Sequence, residues 1–177
     1  LISIFKLSSS TLTSYIILLD SINSDICKYM NSYSFKTSFG WITIKSSGSK
    51  IISVKFGKIR KNKSSKFLIY VSKQIKLYTL GKLKKINISY SLSGSDLQNK
   101  IWKELSKIKF GTTVSYGYIA KKLKTSPRYV GNVCGQNNLL LIIPCHRVIR
   151  NDGTLGGFSG LGGIKLKKKL INLEKNV

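Results

Sequence analysis

Acidic residues are scarce in this sequence. Asp and Glu together number 6, against 31 Lys and Arg, so the formal net charge at pH 7 is +25. This excess favours a polyanion as partner, nucleic acid first and an anionic membrane second. Lys, Ile, Asn and Ser are abundant throughout, as in a protein whose coding DNA has a biased base composition. Many of the lysines are therefore expected to be ordinary solvated surface.

Cysteine and histidine are also few. Three cysteines, Cys27, Cys134 and Cys145, are an odd number without the spacing of a disulfide framework, which indicates free thiols in a reducing compartment. We therefore expect a cytoplasmic protein, or a nuclear one if the source is eukaryotic. A single histidine and the absence of a CxxC motif argue against a zinc site.

Long hydrophobic runs are missing as well. The longest uncharged run near the start, residues 7–19, is rich in Ser and Thr and is too short and too polar to span a membrane. It also lacks the clear basic start and the cleavage site of a signal peptide. We therefore expect no membrane among the partners.

The first 33 residues show no clear pattern and are expected to form a divergent, poorly ordered extension. The chain begins with Leu1, and its single methionine is Met30. We expect Met30 to be a workable start and residues 1–29 to be dispensable. The competing expectation is that residues 16–19 form an extra helix or strand that covers the N-terminal domain.

Residues 34–92 have the pattern of a small α/β domain followed by a linker. Apolar and polar residues alternate on both sides of a turn at residues 47–49, which predicts two strands. The next segment has apolar residues at helical spacing, at Val71, Ile75 and Tyr78.

Residues 93–177 predict a mostly α-helical domain that contains a helix-turn-helix. Ser95 and Gln98 have the spacing of a capping box at the start of one helix. Ser115 can cap a second helix and Ser126 a third. The second and third helices are short and joined by a tight turn, a pattern that also occurs in helical hairpins that bind no DNA. The positive charge favours the DNA-binding interpretation.

The last predicted helix has an acid on an otherwise apolar face. The residues on this face are Ile164, Leu170, Ile171 and Glu174. From the pattern alone, a frayed helix end with Glu174 in solvent is the favoured interpretation. A functional role for Glu174 stays open, because acids are so few in this chain.

Cys145 is next to the only histidine, His146, and follows a segment that is predicted to be buried. The segment, residues 139–143, is apolar and is followed by Pro144. The thiolate is the reactive form of cysteine, and a nearby histidine can take the thiol proton directly or through water. A Cys-His pair alone is weak evidence, because most such pairs are structural.

The longer string PCHRVI closely resembles the active-site motif of the O6-alkylguanine-DNA alkyltransferases, also called methylated-DNA–protein-cysteine methyltransferases. The strings SYGYIA, SPRYVGNVCGQNN and GGFSG are similar to further motifs of that family, and the resemblance covers about residues 34–174. It implies an α/β N-terminal domain, ribonuclease H-like, joined to a mostly α C-terminal domain that holds the helix-turn-helix and the active cysteine.

The resemblance also implies a reaction. An alkyl group moves irreversibly from O6 of guanine, and by extension from O4 of thymine, to the cysteine of the protein. Each molecule, a monomer on double-stranded DNA, acts once and needs no cofactor. The base must first be flipped out of the duplex, since O6 is out of reach within it.

The family resemblance implies a role in the transfer for each of five residues of this chain. Cys145 is implied as the acceptor, and His146 as the base that removes its proton through a bound water. Glu174 is implied to orient His146. Asn137 is implied to brace the turn before the active-site segment. Tyr116 is implied to crowd the target phosphate and to donate a proton to the guanine.

Further residues are implied at the DNA and around the flipped base. Arg128 is implied to enter the stack where the base has left, and Gly117 and Asn151 to touch the DNA backbone. The residues implied for the pocket of the flipped guanine are Val148, Phe158 and Ser159.

Two other classes of function stay open at this point. A non-catalytic, lesion-binding alkyltransferase-like protein would fit the helix-turn-helix, although family members of that kind lack the cysteine that Cys145 supplies. A Cys-His hydrolase would need an oxyanion hole and usually a glycine-rich nucleophile turn, and neither is visible in the sequence.

Overall fold

The computed structural model describes residues 30–177, of which residues 31–177 form one compact unit. The expectations for the first 29 residues, including an added element at residues 16–19, lie outside the described residues, as does Cys27. The division into two domains near residue 92 stays a prediction. In the described part of the chain, no helix is long and apolar enough to cross a membrane.

The N-terminal part is built on a three-stranded sheet in the order β1-β2-β3, whose strands are β1 (Met30–Thr37), β2 (Gly40–Ser47) and β3 (Lys50–Phe56). The predicted hairpin is confirmed, since β2 and β3 pair antiparallel across a turn in which Gly48 has a φ of +55°. The pattern does not reveal β1, because its sequence MNSYSFKT lacks strict alternation. This strand begins at Met30, within the segment assigned to the extension.

Helix α1 (Lys66–Thr79) packs against β2. Ser65 caps its first turn, and Gly81, with a φ of +72°, follows its end. The residues predicted for its inner face, Val71, Ile75 and Tyr78, are all buried. Full burial of an aliphatic side chain contributes about 1.5–3 kcal/mol, so this face fastens the helix to the sheet.

The free edge of β3 connects the sheet to later parts of the chain. Ile51 exchanges backbone hydrogen bonds with residues 89–91, and Val54 does so with residues 138–140. The first contact makes the predicted linker an extended segment held on the sheet. The second contact anchors the apolar segment that leads to the Cys-His pair.

Three helices follow in the middle of the chain, α2 (Asp96–Leu105), α3 (Tyr116–Lys122) and α4 (Pro127–Gly135). The capping box at Ser95 is confirmed, with both of its hydrogen bonds present. Ser115 and Ser126 each accept from a backbone N–H of the first turn that they cap, as predicted. Helices α3 and α4 contact each other and are joined by residues 123–126. Their identity as a DNA-binding helix-turn-helix stays a prediction.

The segment that contains the Cys-His pair lies between two elements. A one-turn 3-10 helix, Cys145–Arg147, packs against helix α5 (Gly163–Lys175). Directly after that turn, β5 (Val148–Ile149) pairs in parallel with β4 (Val114–Ser115), the two residues before α3. The Cys-His pair therefore lies where α5 and the start of α3 meet.

The inner face of α5 differs from the predicted one at both ends. Ile164 has the predicted spacing but lies in the first turn and is 51% exposed, so its assignment to the buried face is wrong. Leu166 and Lys167 are buried instead. The interpretation of the helix end as solvated is also wrong, because Glu174 is only 4% exposed.

Candidate active site

Cys145 follows a turn that the side chain of Asn137 closes. The Asn137 Nδ2 donates to the backbone oxygen of Ile143 at 2.9 Å. It also lies 3.1 Å from Cys145 Sγ, and Oδ1 of the same amide accepts from the backbone N–H of Leu139 at 2.8 Å. One buried amide thus holds the turn before Pro144 and also donates to the sulfur.

The Cys145 thiol is buried, and this determines its resting state. Burial raises the pKa of Cys145, and the hydrogen bond from Asn137 and the nearby charge of Lys167 lower it only in part. The group therefore rests as a thiol at neutral pH. A base must take its proton before the sulfur can act as a nucleophile.

His146 is fully buried, and its two ring nitrogens have different surroundings. Nε2 lies 2.6 Å from Glu174 Oε1. Nδ1 is buried and has no hydrogen-bond partner among the described residues. Burial lowers the pKa of His146 and outweighs the opposing effect of Glu174, so the ring is neutral at neutral pH. A neutral ring with one free nitrogen is able to accept a proton.

The Glu174 carboxylate accepts hydrogen bonds from Arg147, Gly111 and Tyr78, and it also lies within hydrogen-bond distance of the His146 ring. The Arg147 guanidinium contacts both carboxylate oxygens, with Nε 2.9 Å from Oε2 and Nη2 3.0 Å from Oε1. The backbone N–H of Gly111 donates to Oε2 at 3.0 Å. Burial raises the pKa of Glu174, but the hydrogen bonds from His146 and Arg147 outweigh it and lower the pKa to about 2. The carboxylate is therefore ionised throughout the neutral range.

Three members of this site were not assigned from the sequence. Arg147 belongs to the PCHRVI string, but the sequence predicted no role for it. Tyr78 was predicted only as a residue of an apolar helix face. Lys167 lies in a lysine-rich run, where composition does not distinguish a buried lysine from solvated ones. A signal does exist, because Lys167 and Glu174 are seven residues apart and so share one face of α5.

A cavity of about 450 Å³ opens beside this network, between α4 and the loop at residues 156–159. Its walls include Tyr116, Arg150 and the two α4 glycines Gly131 and Gly135. Two of the residues predicted for the guanine pocket, at positions 158 and 159, lie in the loop and line the cavity, and the binding of guanine there stays a prediction. The Cys145 side chain is not part of the cavity wall.

Tyr116 links the cavity to α5. Its hydroxyl oxygen accepts from Lys167 Nζ at 3.2 Å, and Lys167 also donates to the backbone oxygen of Gly157 at 3.4 Å. Burial raises the pKa of Tyr116 to about 12, so the hydroxyl keeps its proton at neutral pH. That proton is available to a group in the cavity, because Lys167 already donates to the oxygen. A Cβ at Gly156 would lie 2.6 Å from the hydroxyl oxygen, which requires glycine there.

The predicted DNA-contacting residues lie outside this network. Arg128 is the second residue of α4, is exposed, and makes no hydrogen bond or ion pair within the described chain. A Cβ added to Gly117 would lie 2.7 Å from Asn151 Oδ1, so these two positions are direct neighbours. Their contacts with DNA stay a prediction.

Val148 and Phe158 occupy different places, although both were predicted for the same pocket. The Val148 side chain is fully buried in β5 and does not line the cavity. Phe158 lines the cavity, and its ring meets the His146 ring edge to face with centroids 6.5 Å apart. Phe158 is thus the wall between the cavity and the histidine.

The second half of the chain matches a known family model. The model described as 6-O-methylguanine DNA methyltransferase, DNA binding domain, matches residues 96–176. That range includes α2 to α5 and therefore the whole Cys-His-Glu arrangement. It excludes the three-stranded sheet and α1.

Similar proteins extend the likeness to most of the chain. The methylated-DNA–protein-cysteine methyltransferase of Metallosphaera sedula is 36% identical over 143 residues, which cover 79% of this chain and 90% of that protein. The protein of the same name from Methanocaldococcus vulcanius is 52% identical over 88 residues, or 50% of this chain, and the match spans about half, 53%, of that relative. Mycobacterium tuberculosis OGT in complex with DNA is similar in structure, with a TM-score of 0.74, 32% identity, and coverage of 82% of this chain and 92% of that one.

Proposed function

We propose that this chain, which belongs to the methylated-DNA–protein-cysteine methyltransferase family, repairs DNA by transferring the alkyl group of O6-alkylguanine to Cys145. The product is a stable thioether, so each molecule acts once and needs no cofactor. In this proposal a monomer acts on double-stranded DNA, and O4-alkylthymine is a second substrate.

In the proposed reaction, Cys145 Sγ attacks the alkyl carbon, and the bond between that carbon and guanine O6 breaks. His146 Nδ1 takes the thiol proton through a bound water, and Glu174 stabilises the resulting imidazolium. The Tyr116 hydroxyl gives a proton to the leaving guanine, and Lys167 stabilises the tyrosinate. Return of a proton from His146 to Tyr116 through solvent completes the balance, with neutral guanine and an alkylated cysteine as products.

The observation that carries the proposal is the asymmetry of the His146 ring. Nε2 is bonded to Glu174, whereas Nδ1 is buried without a partner in residues 30–177. This arrangement suits a base that accepts one proton and shares the resulting charge with a carboxylate. The preceding residue in the chain, Cys145, is a buried thiol that needs such a base.

For the DNA-binding step, we propose that α3 and α4 act as a helix-turn-helix and that Arg128 fills the space of the flipped base. The exposure of Arg128 and the cavity beside α4 support this step. The net charge of +25 favours attachment to phosphates. Because Cys145 does not line the cavity, we expect the loop at residues 156–159 to shift when the base enters.

The test is a mass measurement after the full chain is mixed with duplex DNA that contains O6-methylguanine. We expect a stable gain of one methyl group per protein molecule, located on Cys145 after digestion. Tight lesion binding without any gain would favour the non-catalytic, lesion-binding alternative. Release of product over many turnovers would indicate a hydrolase.

Replacing Arg128 with alanine should slow repair of duplex DNA and spare the reaction with free O6-benzylguanine. The free base needs no flipping, so a side chain that replaces a flipped base has no role in that reaction. Unpairing and unstacking a base costs a few kcal/mol, so we expect a loss of roughly tenfold or more on duplex DNA alone. Single-turnover rates on the two substrates measure the difference.

Lys103→Ala is the matched control for this variant. Lys103 is exposed on α2 and makes no hydrogen bond or ion pair within the described chain, so the change removes the same charge away from α4. It should lower both rates little and equally. Equal losses on both substrates for Arg128→Ala would mean that Arg128 supports the fold and not base flipping.

A further inference from the structure

The Tyr78 hydroxyl contacts both His146 and Glu174, although Tyr78 belongs to a distant part of the chain. It is 1% exposed near the end of α1, and its ring meets Phe110 edge to face with centroids 5.8 Å apart. The family match begins only at residue 96. The N-terminal part of the chain therefore contributes a polar group directly to the candidate active site.

The partners of the Tyr78 hydroxyl determine where its single proton points. Arg147 Nη2 donates to the hydroxyl oxygen at 3.4 Å. The hydroxyl in turn donates to Glu174 Oε1. The same Oε1 lies 2.6 Å from His146 Nε2, and the Tyr78 oxygen lies 3.2 Å from that nitrogen.

Two oxygens thus face His146 Nε2, and neither has a proton left to donate to it. Nε2 must then carry the ring proton and donate it to Glu174, because a bare nitrogen lone pair there would face a carboxylate. The lone pair of the neutral ring is left on Nδ1, the nitrogen that has no partner among the described residues.

On the basis of the proposed function, we propose that Tyr78 is a positioning residue of the alkyl transfer. Its hydroxyl holds Glu174 Oε1 against His146 Nε2 and so keeps Nδ1 as the nitrogen that receives the Cys145 proton. The same hydrogen bond draws negative charge away from Oε1, which weakens the attraction of Glu174 for an imidazolium.

The surroundings of His146 give the direction of the expected pH effect. The titratable and charged groups around the ring are Glu174 and Lys167 of α5, Arg147 of its own segment and Tyr78 of α1, and Cys145 precedes it in the chain. Burial lowers the pKa of His146, Glu174 raises it, and Arg147 and Lys167 lower it. Without the Tyr78 hydroxyl, Arg147 and Gly111 still hold Glu174 in place, but Oε1 keeps more of its negative charge. The attraction of Glu174 for an imidazolium therefore increases, the pKa of His146 rises, and the neutral base is lost at a higher pH.

The experiment uses the fact that His146 is the only histidine of the chain. Labelling the full chain with ¹⁵N-histidine gives a single imidazole, whose tautomer and pKa can be followed by NMR. In the wild-type protein we expect the tautomer with the proton on Nε2. In Tyr78→Phe we expect a higher His146 pKa. In the plot of methyl-transfer rate against pH, the acid limb should move to higher pH by the same amount. A pKa that is higher by about 0.5 would lower the rate on that limb roughly threefold.

Tyr70→Phe is the matched control, because it removes the same atom from an exposed position of α1. It should change neither the His146 pKa nor the transfer rate. Three results would overturn the role of Tyr78: a proton on Nδ1 in the wild-type protein, an unchanged pH profile in Tyr78→Phe, or an equal loss of rate at every pH with a lower melting temperature. If Tyr78→Phe does not fold, Tyr78→Leu, which also lacks the hydroxyl, takes its place in both measurements.

The outcome for Tyr78 can be separated from the outcome for the proposed function. A wild-type chain that does not methylate Cys145 would overturn the proposed function, whatever the NMR spectra show. A wild-type chain that methylates Cys145, combined with any of the three contrary results, would overturn the role of Tyr78 alone.

Discussion

The Cys145→Ala variant is expected to take up no methyl group from O6-methylguanine DNA and still to bind the duplex. The sulfur is the proposed acceptor, and no other described cysteine lies beside a histidine. DNA binding should persist because Arg128 and the lysines on the surface are unchanged. Mass spectrometry of the protein and a gel-shift measurement with the same oligonucleotide test the two halves of this expectation.

Cys134→Ala is the control for loss of a buried thiol. Cys134 lies on α4, is 6% exposed, and burial raises its pKa, as it does for Cys145. The proposed base, His146, adjoins Cys145 and not Cys134 in the chain. This variant should keep full methyl uptake, whereas a methyl group found on Cys134 in the Cys145→Ala protein would contradict the assignment.

Glu174→Gln should lower both stability and transfer, because Glu174 is the shared acceptor of the site. The change leaves the buried Arg147 guanidinium without a counter-charge, and removal of one partner of a buried ion pair costs about 3–5 kcal/mol. The transfer rate should fall by about 10²- to 10⁴-fold, the usual contribution of a positioned general base. Urea unfolding and single-turnover methyl uptake measure the two effects.

The same variant should change how stability depends on pH. The pKa of Glu174 is about 2, below the ordinary value, so its ionised form is favoured in the folded state. The stabilisation is fully present above the unfolded pKa, about 4.3, and is lost as the pH falls towards 2, which amounts to about 3 kcal/mol. Unfolding free energies measured between pH 5 and pH 2 should fall less steeply in Glu174→Gln than in the wild-type protein.

Glu104→Gln is the control for loss of a buried carboxylate. Glu104 is 8% exposed, but the side chains of its partners Lys107 and Lys122 are 68% and 47% exposed, so solvent still covers their charges afterwards. We expect a cost of about 1 kcal/mol or less and an unchanged transfer rate. If the two variants behaved alike, the special role of Glu174 would be wrong.

Local signals in the sequence predicted most of the helices correctly. The starts of α2, α3 and α4 were predicted from Ser95, Ser115 and Ser126, and each serine caps its helix in the structure. A cap can be predicted because it depends on residues only three positions apart. The hairpin turn at Gly48 was predicted for the same reason.

Features that depend on neighbours from elsewhere in the chain were predicted less well. Ile164 and Glu174 share one side of α5, yet the first is exposed and the second buried. Helical spacing tells which residues face the same way, but not how far other elements cover the helix. The resemblance implies Val148 for the guanine pocket, and the structure places its side chain in the core and outside the cavity wall.

Short stretches of sequence are enough to locate the helix starts and to place Cys145 next to His146, because both features depend on residues close together in the chain. Only the folded chain shows that the Tyr78 hydroxyl donates a hydrogen bond to Glu174, 96 positions away, beside that histidine. It also decided which lysine of a lysine-rich helix, Lys167, is buried. Burial and pKa depend on the elements that cover a group, and packing brings those elements together from distant parts of the chain.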